Sequence, residues 1–123
     1  MPLPVADLSE DGMTRVIEEY LDLCYRTHSV PRASEFAASL KQSARTVRRH
    51  VRRIYGVPLG RLLRQKRLEK TALLLRTTNL SIEAIMSQTA PGDRRAFFRA
   101  FRAAFDTTPL EYRVSFRTAP APR

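Results

Sequence analysis

The sequence predicts an all-α fold. Apolar residues recur at helical spacing along most of the chain, alternating strand-type runs are missing, and Ser, Gly and Pro punctuate the periodic segments where helices start and stop. Roughly seven helices follow from these three observations.

Residues 1–12 read as a Pro-containing, acidic lead that is expected to be flexible. Met13, Val16, Ile17, Tyr20, Leu21 and Cys24 then fall at i, i+3, i+4, i+7, i+8 and i+11, one apolar stripe on a first helix. It should stop near Thr27 to Val30, because Pro31 disfavours helical geometry in the residue before it. A short second helix is expected near Ala33 to Leu40, with Phe36, Ala37 and Leu40 facing inward. Ser43 is a natural N-cap for a third helix running to about Tyr55 and ended by Gly56 and Pro58. From Leu59 to about Arg76, the leucines at 59, 62, 63, 68, 73, 74 and 75 stand among basic residues, the pattern of a long connecting helix wetted on one side. Ser81 caps a short helix that ends before Pro91-Gly92. Asp93 is expected to cap the next, which runs to about Phe105. Thr108-Pro109 starts a last helix with proline in its favoured first turn, and the tail 118–123, holding Pro120 and Pro122, is expected to fray.

The composition narrows the function. With 123 residues, 43% hydrophobic and 28% charged, the chain suits one compact body or two very small ones and excludes a large multidomain enzyme. Its formal charge of +10 predicts attraction to polyanions, nucleic acid before anionic membrane. Residues 1–30 hold six acids against two bases, so the remainder carries +14. The bases are almost all Arg, with Lys only at 41, 66 and 70; Arg supplies the planar fork that suits phosphate and guanine, although a GC-rich genome also favours it. The single Cys24 forms no intrachain disulfide, lacks the spacing of a zinc site, and reads as a small buried hydrophobe. No basic n-region opens the chain, and no apolar run approaches the ~20 residues of a membrane span, so a cytoplasmic location is expected.

Sliding the chain by 50 residues aligns the third helix with the sixth. Ser43 meets Asp93, Arg45 meets Arg95, Val47 meets Phe97, Arg49 meets Arg99, Val51 meets Phe101, Arg52 meets Arg102 and Tyr55 meets Phe105. Each copy has a short helix, a tight turn, and a longer helix with an apolar face and an Arg face, the layout of a helix-turn-helix. The period of 3.6 turns Val47, Val51, Ile54 and Tyr55 inward and leaves Arg45, Arg48, Arg49 and Arg52 outside; Phe97, Phe101 and Phe105 turn inward and leave Arg94, Arg95, Arg99 and Arg102. The early residues of such helices sit deepest in the major groove. Arg45, Arg48, Arg49, Arg94, Arg95 and Arg99 are therefore candidates for base contact, and Ser43, Arg52 and Arg102 for phosphate contact. One Arg-rich helix is usually a solvated face; two in register weigh against that. Phe98 lies toward the Arg face, where two roles suit it equally: touching a thymine methyl or packing at the edge.

The residues here resemble the DNA-binding domain of the AraC/XylS family of bacterial transcription regulators. The similarity rests on Ser81-Ile82 through Ile85, Phe97, Arg99-Ala100-Phe101, Phe105, Thr108-Pro109 and Glu111-Tyr112-Arg113, with Ser43 through Val51, Gly56, Arg67-Leu68 and Leu74-Leu75 upstream. It covers roughly residues 14–116. It implies two helix-turn-helix subdomains, residues 13–57 and 79–117, joined by a rigid linker helix over 58–78, each placing one recognition helix in successive major grooves. Departures stand at Ala90-Pro91, where the family usually has Gly-Phe, at Asp106, where Gly is usual, and at Thr71, where Ala is usual. Family members commonly carry a sensing domain, for which this chain has no room, so either a stand-alone regulator controlled by its abundance or an excised domain is expected.

The expected partner is double-stranded DNA, read in a sequence-specific way. Two rivals are a basic protein that binds nucleic acid without reading sequence, and a module whose acidic first helix, with Glu18, Glu19 and Asp22, recruits a partner such as RNA polymerase. An enzyme is not expected, because His28 and His50 have no carboxylate or thiol at triad or metal-ligand spacing and no glycine-rich phosphate loop occurs. No cofactor, metal or membrane partner is expected.

Overall fold

A computed structural model describes residues 9–118, which form seven helices and, among the described residues, no strand. They are α1 (Glu10–Thr27), α2 (Ala33–Ser39), α3 (Ala44–Tyr55), α4 (Leu59–Thr77), α5 (Ile82–Thr89), α6 (Arg94–Phe105) and α7 (Pro109–Thr118). The chain divides within α4 into two compact units, one ending at Gln65 and the other starting at Lys66. Most of the expected acidic lead and of the expected tail lies outside the described residues.

In the N-terminal unit, α1 starts at Glu10 rather than at Met13. The apolar stripe marks only where burial begins, whereas the helix begins at its cap: the Gly12 N–H donates to Ser9 Oγ at 3.3 Å, and Glu10 and Asp11 complement the positive helix end. The stripe itself is buried, Met13 and Ile17 completely, against Phe36, Ala37 and Leu40 and the Val47/Val51 face of α3. Two hydroxyl bonds tie this core. Tyr20 accepts from the Arg32 N–H at 2.9 Å and donates to Glu35 Oε1 at 2.9 Å. The hydroxyls of Thr14 and Tyr55 meet at 2.5 Å, joining α1 to the end of α3. Burial pushes both tyrosine hydroxyls up from their ordinary range, so they stay protonated.

The C-terminal unit uses aromatic rings where the first uses mostly aliphatic groups. Phe101, fully buried, lies 4.5 Å from Phe105 and 5.5 Å edge-on from Tyr112, with Ile85, Met86, Leu68 and Leu75 around them. A polar spine runs through this core. Buried Thr71 bonds its partner hydroxyl on buried Thr89 at 2.9 Å, and Arg67 Nε donates to the Thr89 carbonyl at 2.7 Å while its guanidinium lies 5.0 Å from the Phe97 ring. The threonine at 71 is thus fully satisfied.

The seven leucines of α4 do not form one stripe. Leu59, Leu62 and Leu63 belong to the first core, Leu68 and Leu75 to the second, Leu74 only packs at its margin, and Leu73 is exposed. The helix meets two different cores, so its buried face changes along its length. Its C-terminal carbonyls are closed from α7: Arg113 donates to Leu75 O and Thr78 O at 3.2 and 3.3 Å, and Arg117 to Thr78 O.

Candidate nucleic-acid interface

Each unit contains a short helix, a tight turn and a 12-residue helix: α2 with α3, and α5 with α6. The two turns solve one problem differently. In the first, Lys41 takes the left-handed backbone conformation at φ 58°. Fifty residues on stands Pro91, whose ring fixes φ near −65° and forbids that conformation, and Gly92 takes it instead at φ 81°. One residue's displacement reaches the next helix start. Ser43 has extended geometry, and its Oγ accepts from the Thr46 N–H at 3.1 Å. Asp93, with ψ 48°, makes no side-chain cap bond, so the expected cap of α6 is not formed. Each helix ends in a left-handed residue, Gly56 at φ 74° and Asp106 at φ 63°. Asp106 therefore performs the job of the glycine it replaces, at the steric cost that a Cβ brings there.

All eight arginines expected outside are exposed: Arg45, Arg48, Arg49 and Arg52 on α3, and Arg94, Arg95, Arg99 and Arg102 on α6. Val47 and Val51, and Phe97 and Phe101, are buried on the opposite faces, with Ile54, Tyr55 and Phe105 half-buried at their margins. Two of the nine candidates carry local ties. Arg94 forms an ion pair with Glu83 of α5, both side chains exposed. Ser43 donates its own hydroxyl to Thr46 Oγ1 at 2.9 Å, so that hydrogen is used inside the turn. Phe98 stands 40% exposed at the boundary of the α6 arginine face.

One group was missed in the sequence. Arg53 is exposed, lies one turn after Arg49, and donates from Nη2 to His50 Nδ1 at 3.0 Å. Continuing the i, i+4 row from Arg45 and Arg49 by one more turn would have found it. Its counterpart in α6 is Ala103, so the α3 face is the more strongly charged. Elsewhere among the described residues, no three His, Cys, Asp or Glu side chains converge on a metal-binding geometry, and no helix is long and apolar enough to cross a membrane.

Two units, each holding a helix-turn-helix whose second helix turns arginines outward, define a DNA-binding protein of the helix-turn-helix class. A family model described as a helix-turn-helix domain matches residues 36–115. The chain is 32% identical over 97 residues to the regulatory protein SoxS of Salmonella typhimurium, a match covering 79% of this chain and 85% of that protein. The fold is that of the C-terminal domain of the response regulator yesN from Fusobacterium nucleatum, with a TM-score of 0.68, 28% identity, and coverage of 82% of this chain and 97% of that one. It is also that of the DNA-binding domain of the global transcriptional factor AdpA, solved with a target DNA: TM-score 0.73, 23% identity, coverage of 85% and 92%. The chain belongs to the AraC/XylS family of transcription regulators. It spans only 20%, 46% and 51% of the length of three other curated relatives that it matches.

Proposed function

We propose that this regulator binds double-stranded DNA sequence-specifically, each unit placing its second helix, α3 or α6, in a major groove. The observation that carries this reading is the repeated face: four arginines at i, i+3, i+4 and i+7 on α3, and arginines at i, i+4 and i+7 of the same register on α6, with Phe98 at i+3 and Arg94 added at the start. Arg45, Arg48, Arg49, Arg94, Arg95 and Arg99 contact base edges, where the guanidinium fork matches guanine O6 and N7. Arg52 and Arg102, further along, contact phosphate, as does Ser43 when its hydroxyl exchanges Thr46 for the DNA backbone. Binding of this kind is expected where a bacterial chromosome lies, in the cytoplasm.

Selection from randomised duplexes with the full chain tests this directly. An enriched motif is expected, with affinity falling on added salt at a log–log slope of about −0.9 per neutralised phosphate. Equal affinity for unrelated duplexes would leave only generic polyanion binding. The acidic residues Glu18, Glu19 and Asp22 remain exposed on α1 while its apolar stripe completes the first core, so recruitment of a polymerase is not needed to account for that helix.

A further inference from the structure

Phe98 is the one large apolar side chain that α6 exposes, among the described residues. It belongs neither to the buried cluster of its unit nor to the half-buried shell around it, and it takes part in none of the ring contacts of that unit. It is not a member of the packed core. Arg94 and Arg95 lie one turn before it and Arg102 one turn after, so any surface that covers this ring must accommodate concentrated positive charge. Duplex DNA does so, and its major groove offers one apolar group to a side chain, the C5-methyl of thymine.

The internal repeat sharpens the point. The residue fifty positions earlier, at the same place on α3, is Arg48. One slot therefore holds a hydrogen-bond donor suited to guanine in the first unit and an apolar ring in the second. We propose that Phe98 is a specificity-determining residue that reads the C5-methyl group of a thymine. This rests on the proposed major-groove binding by α6.

The test uses the full chain and the duplex motif recovered by selection, with each thymine replaced in turn by deoxyuracil, which lacks only that methyl. At one thymine in the half-site of α6, the wild-type protein is expected to lose roughly fourfold in affinity, the effect of exposing one methylene-sized group. Phe98→Ala should bind the thymine duplex correspondingly less well and no longer distinguish thymine from deoxyuracil there. Because the ring is exposed, the variant should keep its helical circular dichroism, and Phe98→Leu should restore part of the discrimination. The proposal is overturned if no deoxyuracil substitution weakens the wild type, if the half-site holds no thymine, or if the discrimination survives in Phe98→Ala. In those cases the selected motif itself leaves sequence-specific binding standing; failure to recover any motif removes both readings.

Discussion

The two units reach the same layout with different materials. The first presents five exposed arginines on α3, held by a serine cap, a glycine end and a mostly aliphatic core. The second presents four on α6, one of them engaged by Glu83, over an aromatic core, with no side-chain cap and with aspartate at its end. A repeat constrains which face is buried and which is charged far more than it constrains how each helix starts and stops. The α3 face is therefore expected to contribute more of the local electrostatic contact with DNA than the α6 face, whereas left-handed non-glycine backbone occurs in both units, at Lys41 in the first turn and at Asp106 after α6.

The largest effect should come from the core that distinguishes the units. Phe101→Ala removes a fully buried ring and should destabilise the C-terminal unit by about 3–5 kcal/mol. In an NMR spectrum of the full chain, lost dispersion confined to residues of that unit would establish two cores; simultaneous loss from Met13 and Phe36 would make them one cooperative body.

Next comes the reading face. Arg45→Ala should weaken binding to the selected motif by roughly 1–3 kcal/mol and relax preference at one base pair. Arg94→Ala should cost less, because Glu83 already competes for that guanidinium, and Glu83→Gln should strengthen binding by releasing it. Titrations of the three variants against one duplex would decide the matter; equal losses at Arg45 and Arg94 would remove the asymmetry.

A smaller effect lies at the helix ends. Open space surrounds a Cβ built on Gly56, yet its φ of 74° makes Gly56→Ala unfavourable by about 1–2 kcal/mol. Asp106→Gly should stabilise by less than about 1 kcal/mol, because aspartate tolerates this conformation and glycine adds freedom to the unfolded chain. Denaturant melts of the two variants should move in opposite directions.

The smallest effect is a dependence on acid. The Thr108 N–H donates to Glu111 Oε1 at 3.0 Å and the Glu111 N–H donates to Thr108 Oγ1 at 3.1 Å, a reciprocal cap at the start of α7. The first of these bonds holds the Glu111 carboxyl below its ordinary range. The folded-state value is the lower one, so this stability is present above the ordinary carboxylate range and is lost as pH falls through the lowered value. Thermal melts of the wild type and Glu111→Gln should therefore converge as pH falls from the ordinary carboxylate range through the lowered value; a constant difference would remove charge from the cap.

Periodicity made the helices and their buried faces legible, since Val47/Val51 and Phe97/Phe101 sit where a 3.6-residue repeat puts them. Caps were legible only where the residue type and the backbone agreed. Ser43 and Ser81 accept the expected bonds, whereas Asp93 has the right chemistry in a turn that Pro91 has displaced. Ser9 lies ahead of the apolar stripe, where periodicity carries no signal for a cap. The Arg94–Glu83 pair joins two helices across a turn, and the Thr71–Thr89 bond spans 18 residues. Neither has a spacing that a linear pattern would reveal.

The division of α4 between two cores bears on how the chain assembles during synthesis. Starting a helix is the slow, unfavourable step, because several dihedral angles are fixed for one hydrogen bond, while lengthening it adds one bond per residue fixed. Leu59, Leu62 and Leu63 dock into a core whose other members all precede them, so the first turns of α4 are stabilised before residues 66–77 need to fold. Those later turns then grow from an existing end. The second half of the nascent chain thereby receives a ready-made template, on which Leu68, Ala72 and Leu75 are already presented to the helices that emerge after them.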